Sequence, residues 1–246
     1  MKKQLVDTFI KKYSLNGIID SVKWTVDSTK KTLTTNAITE EKNVLVAVEI
    51  ANFDALTENC ELGVYETSRL SKMLSVLSDT VELTLNKKDD KITSVNFSDD
   101  ASTAQFITSD LSVIPSAPNL KKLPEFTVEI ELDSDFVNRF VKSKNALPEV
   151  DTFTLLMNKK KKLEMVLGHS ALNSNRITLS ITAKDGKNVV ERNLSFNAKY
   201  FKEILTANSD CSAAVLRVSN SGLSTVEFKN SDFTSTYYMV EVKMAD

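Results

Sequence analysis

Apolar and polar positions recur along this chain in short blocks, and the blocks come in a fixed order. Near the start, Leu5, Val6, Phe9 and Ile10 fall at i, i+1, i+4 and i+5, the spacing of one helical face. Two alternating segments follow, KWTV and LTTNA, on either side of Asp27-Ser28-Thr29-Lys30, which predicts a hairpin. Residues 44–50 alternate cleanly, as a half-buried antiparallel strand does. Leu70, Met73, Leu74 and Leu77 then restore helical spacing, and three more strand-like segments close the series.

The same series then runs a second time. In the register that lays Leu5 on Phe136, the residues Val6, Phe9 and Ile10 fall on Val137, Phe140 and Val141. Val46, Val48 and Ile50 fall on Ile177, Leu179 and Ile181, and Leu70, Met73 and Leu74 fall on Phe201, Ile204 and Leu205. Leu85, Ile92, Val95 and Phe97 fall on Leu216, Leu223, Val226 and Phe228. One register that serves helical and strand segments alike predicts two similar domains of the α+β class, each in the order helix, strands, helix, strands. The period is too long for a solenoid, whose repeats recur every ~20–50 residues. In the second copy FTLLM and LEMVL flank a turn at Asn158-Lys159-Lys160, and Asp133-Ser134 predict an N-cap for its first helix. Residues 109–126 hold three of the four prolines, which stiffen an extended connector. The expected organisation is therefore a first domain over 1–110, a connecting loop over 111–125 and a second domain over 126–246.

Composition narrows the chemistry. Of 246 residues 41% are apolar and 26% charged, enough to bury a core without a disulfide or metal staple. The two cysteines, Cys60 and Cys211, lie far apart with no CxxC, and they predict reduced thiols rather than a bridge. Asp7 and Lys11 interrupt any signal-peptide core, and no apolar run is long enough to span a bilayer, so a cytoplasmic protein is expected. The single histidine, His169, follows LEMVLG at an expected strand end and reads as a surface or structural imidazole. Zinc would want several Cys or His ligands, and neither phosphate-loop nor hydrolase motifs occur. Asp89-Asp90 and Asp99-Asp100 read as solvated turns rather than acid–base pairs. These features predict a binding or scaffolding protein, not an enzyme, with no cofactor and no metal.

Charge is distributed unevenly. The four helical segments, 2–16, 66–78, 133–145 and 198–208, together hold 11 basic and 5 acidic residues in a chain whose total is −2. The rest of the chain is therefore acidic. Most of the basic residues fall away from the apolar stripes, so the helices are expected to present a phosphate-facing surface that is sequence-independent and sensitive to salt. Lys159–Lys162 is a separate basic run in an expected hairpin turn.

Duplication, basic helices, an acidic remainder and a proline-containing connector together resemble the DNA sliding clamps, in particular the two-domain branch of tailed-phage clamps and the proliferating cell nuclear antigens. The resemblance covers essentially the whole chain. It is carried best by LSVIPSAPNLKKLPEFTVEIELDSDFVNRFVKS and by YFKEILTANSDCSAAVLRVSNSGLSTVEFKNSDFTSTYYMVEV. It implies a homotrimeric ring with helices lining the hole and antiparallel sheets outside, which encircles duplex DNA in replication, tethers a polymerase to it and has a clamp loader as a further partner. It implies DNA-facing roles for Lys11, Lys12, Arg69, Lys72, Arg139, Lys142, Lys144, Lys199 and Lys202. It implies edge strands near Thr103–Ser109 and Asn175–Thr182 that pair between subunits. It also implies a pocket for a partner's peptide, formed by Ile38, Leu45, Ile114, Pro115, Leu123, Pro124, Leu223, Tyr238 and Met239. A longer loop, and Val240-Glu241 where cellular clamps continue with Ala-Pro, incline the resemblance toward the phage type, DNA-associated in a host cytoplasm. A monomeric processivity factor with an open basic face and a β-rich phage structural protein are the two other readings of the same pattern.

Overall fold

The structure is a computed structural model that describes residues 1–118, 120, 122–170, 174–188, 190–211 and 214–243, with the side chains of 185–188 outside that description. The chain forms two compact units: Met1–Pro118 with Asn230–Ser235, and Asn119–Lys229 with Thr236–Asp246.

Unit one begins with helix α1 (Lys3–Ser14), followed by strands β1 (Val22–Asp27), β2 (Thr32–Ile38), β3 (Val44–Ile50) and β4 (Cys60–Val64). Helix α2 (Thr67–Leu74) leads into β5 (Glu82–Lys88), β6 (Lys91–Ser98) and β7 (Thr103–Ile107). The first four strands lie side by side as β3-β2-β1-β4 and the last three as β5-β6-β7. Pairing is antiparallel throughout, with Trp24 opposite Thr35 and Leu62, and Phe97 opposite Ala104. Alternation does its expected work: in β1 the alternate residues Val22, Trp24 and Val26 are interior, and in β3 so are Val44, Val46, Val48 and Ile50. The apolar face of α1 meets them through Phe9 and Tyr13, whose rings stand edge-on to the Trp24 indole.

Unit two repeats the plan after a leading strand. Its elements are β8 (Val128–Leu132), α3 (Ser134–Ala146), β9 (Thr152–Met157), β10 (Leu163–Leu167), β11 (Ile177–Ser180), β12 (Ala183–Asn188), β13 (Leu194–Asn197), α4 (Ala198–Ala207), β14 (Ala214–Val218), β15 (Leu223–Lys229) and β16 (Phe233–Val240), whose first three residues are counted with unit one. The sheet β11-β10-β9-β13 has the strand order of β3-β2-β1-β4, and β14-β15-β16 that of β5-β6-β7. Even β8 has its counterpart. It pairs antiparallel with β14, as Lys2 bridges Thr80 at the head of β5. Helix α3 starts where Asp133 accepts the Phe136 N–H at 2.6 Å, and α4 where Asn197 accepts the Tyr200 N–H at 2.9 Å. Phe140 occupies the position of Phe9, 4.7 Å from the Phe201 ring and 5.5 Å from that of Phe153.

The second helix of unit one is shorter than the sequence pattern predicts. Helical bonding ends at Leu74, although Leu77 is buried beyond it. Ser75, Val76 and Ser78 are weak helix formers, and the Ser78 N–H goes instead to the Asp99 carboxylate at 2.6 Å. That bond, with those from Ala101 and Ser102, holds the Asp99 carboxyl down at about 2. The acid pairs sit in turns: Asp89 and Asp90 both have positive φ between β5 and β6.

The two sheets of unit one touch where the Ser109 N–H donates to the Gly63 carbonyl at 2.9 Å. A Cβ on Gly63 would lie 2.2 Å from the Ser109 carbonyl oxygen, so only glycine permits this approach. Gly63→Ala should therefore lower unfolding free energy by ~1–3 kcal/mol, read as a reduced urea midpoint. An unchanged midpoint would mean that the β4–Ser109 contact adds nothing to the domain.

Candidate nucleic-acid interface and partner groove

The aromatic anchors determine which helical side chains reach solvent. With Val6, Phe9, Ile10 and Tyr13 turned inward, Lys11 lies about 200° of helical rotation from Phe9 and is exposed. In α2, Leu70 and Leu74 point in, leaving Arg69 and Lys72 exposed. In α3, Phe136 and Phe140 point in, leaving Arg139 and Lys142 exposed. In α4, Phe201, Ile204 and Leu205 point in, leaving Lys199 exposed and Lys202 half-buried. Helices α1 and α2 pack side by side in unit one, and α3 and α4 do so in unit two. Each unit therefore carries a basic pair of helices, and Lys11 and Lys142 occupy equivalent positions. Two of these cations have local acid partners: Arg69 with Glu66 at 2.9 Å and Lys202 with Glu203 at 3.4 Å. The exposed Arg69 pair is worth at most ~1 kcal/mol.

Two of the expected DNA-facing lysines are misassigned. Lys12 is 0% exposed, and its ammonium lies 5.2 Å from the centre of the Phe233 ring. Lys144 is 8% exposed and donates to the carbonyl oxygen of Pro148 at 2.9 Å, closing the C-terminal end of α3. The repeat itself contains the reason. In the register of the duplication, Lys12 aligns with Ser143 and Lys144 with Tyr13, and both counterparts are buried.

The residues expected to receive a peptide divide by unit. In unit two Leu123, Pro124 and Leu223, with Lys122 and Ser221, surround an open hollow of about 440 Å³. Tyr238 is half-buried and Tyr237 fully buried, the alternation expected along a strand. The Tyr237 hydroxyl accepts from the Asn208 side chain at 2.8 Å. In unit one Ile38 stands opposite Leu45 in the β2–β3 register, both half-buried, and Pro115 is exposed. Ile114 and Met239 require correction. They are 8% and 1% exposed, so they are core residues and offer no open surface to a ligand. Ile114 lies under the Gly63 contact, and Met239 is on the inward face of β16.

Sequence inspection missed the clasp that fixes the segment after β16. Arg192 forks onto both oxygens of Glu241, which raises the guanidinium pKa, while the Glu241 N–H donates to the Gly222 carbonyl and the Val242 N–H to that of Ser195. Arg192 and Glu241 are too distant in sequence for a local pattern to link them. The expected edges are β7, which ends its three-stranded sheet, and β11, which ends its four-stranded sheet. Away from the helices, His169 lies 3.2 Å from the Asn193 amide, and Cys60 and Cys211 are half-buried thiols. No helix among the described residues is long and apolar enough to cross a membrane.

This two-domain arrangement is the fold of the PCNA-type sliding clamps. A structure of A. fulgidus PCNA with the C-terminal region of FEN-1 bound matches 100% of this chain and 98% of its own, at TM-score 0.75 and 14% identity. PCNA from Entamoeba histolytica matches 98% of this chain and 96% of its own, at TM-score 0.72 and 19% identity. No family model matches the chain, and no curated protein matches it by sequence.

The neighbours Lys11 and Lys12 should behave oppositely on charge reversal. Lys12→Glu places a carboxylate inside the unit and should cost ~3–5 kcal/mol of unfolding free energy. Lys11→Glu should remain within ~0.5 kcal/mol of the parent. Urea unfolding of the two variants measures both; equal losses would contradict the inward placement of Lys12.

Proposed function

We propose that this protein is a DNA sliding clamp: three copies close head to tail into a ring around duplex DNA and tether a replicative polymerase to it. The observation that carries the reading is the pair of basic helices on each of two equivalent domains in the clamp fold. Exposed Lys11, Arg69, Lys72, Arg139, Lys142 and Lys199, with Lys202 at the margin, form the surface that meets the duplex. Lysines and arginines offered without base-reading groups bind phosphate irrespective of sequence, which suits a protein that must slide. Six similar domains close a ring when a two-domain chain trimerises, and a heterologous interface whose rotation closes is the geometry required. Pairing the free edge of β7 with that of β11 in the next copy would satisfy their open backbone groups. The role is that of a scaffold and needs no catalytic group or cofactor; the polymerase and a clamp loader are its expected partners.

The A. fulgidus neighbour, solved with the C-terminal region of FEN-1 bound, supports a peptide-docking role for the hollow around Leu123, Pro124 and Leu223. An apolar depression on a stiff connector anchors a short segment with little ordering of the clamp itself.

Light scattering should give a mass near three times 27.4 kDa at physiological salt. A monomer at micromolar concentration would favour the open-face processivity factor instead. Charge reversal at Lys11, Arg69, Arg139 and Lys142 should preserve that mass and reduce clamp-dependent synthesis, and added salt should mimic the loss. Undiminished processive synthesis by the reversed protein at moderate salt would remove the DNA assignment. Leu123→Ser with Leu223→Ser should weaken binding of the polymerase's docking peptide ~10-fold or more without altering assembly, as loss of a central apolar anchor does. Peptide affinity equal to the parent's would show that the hollow is not the docking site.

A further inference from the structure

The internal duplication supplies a control for the lysine run at the tip of the β9–β10 hairpin. In unit one the equivalent β1–β2 turn is shaped by Asp27, whose Oδ1 accepts the N–H of Thr29 at 3.1 Å and of Lys30 at 2.9 Å. The same carboxylate pairs with the Lys30 ammonium at 3.2 Å, so that turn carries its own counter-charge. In the register of the duplication the shaping position is Asn158. Its side-chain oxygen accepts the N–H of Lys160 at 2.9 Å and of Lys162 at 3.0 Å, and its own backbone bonds to Lys161 and Lys162 at 2.9 Å. The scaffold is kept and the negative charge is gone. Glu164, the nearest acid in sequence, accepts the Asn158 amide at 2.6 Å. Lys159, Lys160, Lys161 and Lys162 are all exposed, and no ion pair among the described residues includes any of them.

We infer that this turn is a binding site for the phosphate backbone of nucleic acid, carried on a different element from the basic helices. Four like charges at the tip of one hairpin repel one another, and a polyanion relieves that repulsion while releasing its own condensed counterions. The turn is already ordered by Asn158, so the backbone gives up little further freedom on binding. A polyanion of uniform charge fits better than an acidic protein surface. Protein interfaces are anchored by aromatic, apolar or arginine side chains and are poor in lysine. The tip has no such anchor: Leu163 is buried, and Leu156 and Met157 are half-buried. Lysine point charges on a short turn serve phosphate contacts that position a strand without reading its sequence. The site does not depend on encirclement and goes beyond the ring reading.

The test uses the full chain and short labelled oligonucleotides, single-stranded and duplex, titrated by anisotropy across a series of salt concentrations. Replacing all four lysines with Gln should reduce the slope of log affinity against log salt by about 2 or more, since each duplex phosphate contact contributes ~0.9 and each single-strand contact ~0.7. Asn158→Asp adds the unit-one carboxylate while removing the amide that Glu164 accepts, and it should weaken binding in the same direction. Thermal melting checks that both variants are folded; if the quadruple variant melts early, Asn158→Asp decides. The oligonucleotide form that loses more slope identifies whether single or double strands use the turn. A slope unchanged for both forms in both variants overturns the proposal, as does a poly-glutamate peptide that binds the turn while DNA affinity stays at the parent value. Failure of the ring reading would appear instead as a monomer in light scattering and would leave this slope effect in place.

Discussion

One packing contact in each domain controls nearly everything that follows: the phenylalanine at the middle of the first helix, wedged against an aromatic ring from the strand beneath and a second one from a helix. Phe9 meets Tyr13 and Trp24, and Phe140 meets Phe153 and Phe201. Burying each such side chain contributes ~1.5–3 kcal/mol, and edge-on ring pairs add ~0.5–1.5 kcal/mol each. More important than the energy is the phase. A helix has one rotational setting that buries Phe9 with Val6 and Tyr13, and that setting sends Lys11 outward and Lys12 inward. Adjacent lysines thus acquire opposite surroundings from a single hydrophobic decision.

Charge is managed locally, by short side chains that shape turns. Asp27 and Asp99 each accept several backbone N–H groups, and those bonds lower both carboxyl pKa values. Asn158 performs the same shaping without the charge. A substitution that is conservative for the backbone is therefore decisive for the field above the turn, because an amide and a carboxylate accept the same hydrogen bonds yet differ by one elementary charge. Some of the other acids are held against basic partners within the sheets, as Glu129 and Glu227 are against Arg217. The basic residues of the helices are largely left to solvent.

The two domains keep one strand order while differing in their aromatic content and in the added strand β12. Trp24 has no counterpart at its aligned position, Leu155, and the second core compensates with Phe153, Phe196 and Phe201. Cores tolerate such exchange when volume and pattern are preserved. Sequence identity can accordingly fall to 14% and 19% against the two PCNA structures while most of the architecture survives.

Order and periodicity belong to the sequence. Helical spacing at Leu5–Ile10 and Phe136–Val141, alternation in β1 and β3, the cap at Asp133 and the duplication that lays Leu5 on Phe136 were all legible, because each depends on neighbours within a few positions or on one repeated pattern. The exposed cations Lys11, Arg69, Lys72, Arg139, Lys142 and Lys199 followed from the same periodicity. Tertiary structure alone decided the rest. Lys12 is covered by Phe233, Ile114 by the Gly63 contact, and Glu241 is clasped by Arg192. Each of these pairs residues distant in sequence, and whether a side chain is buried depends on what arrives from elsewhere in the chain, which no local pattern encodes.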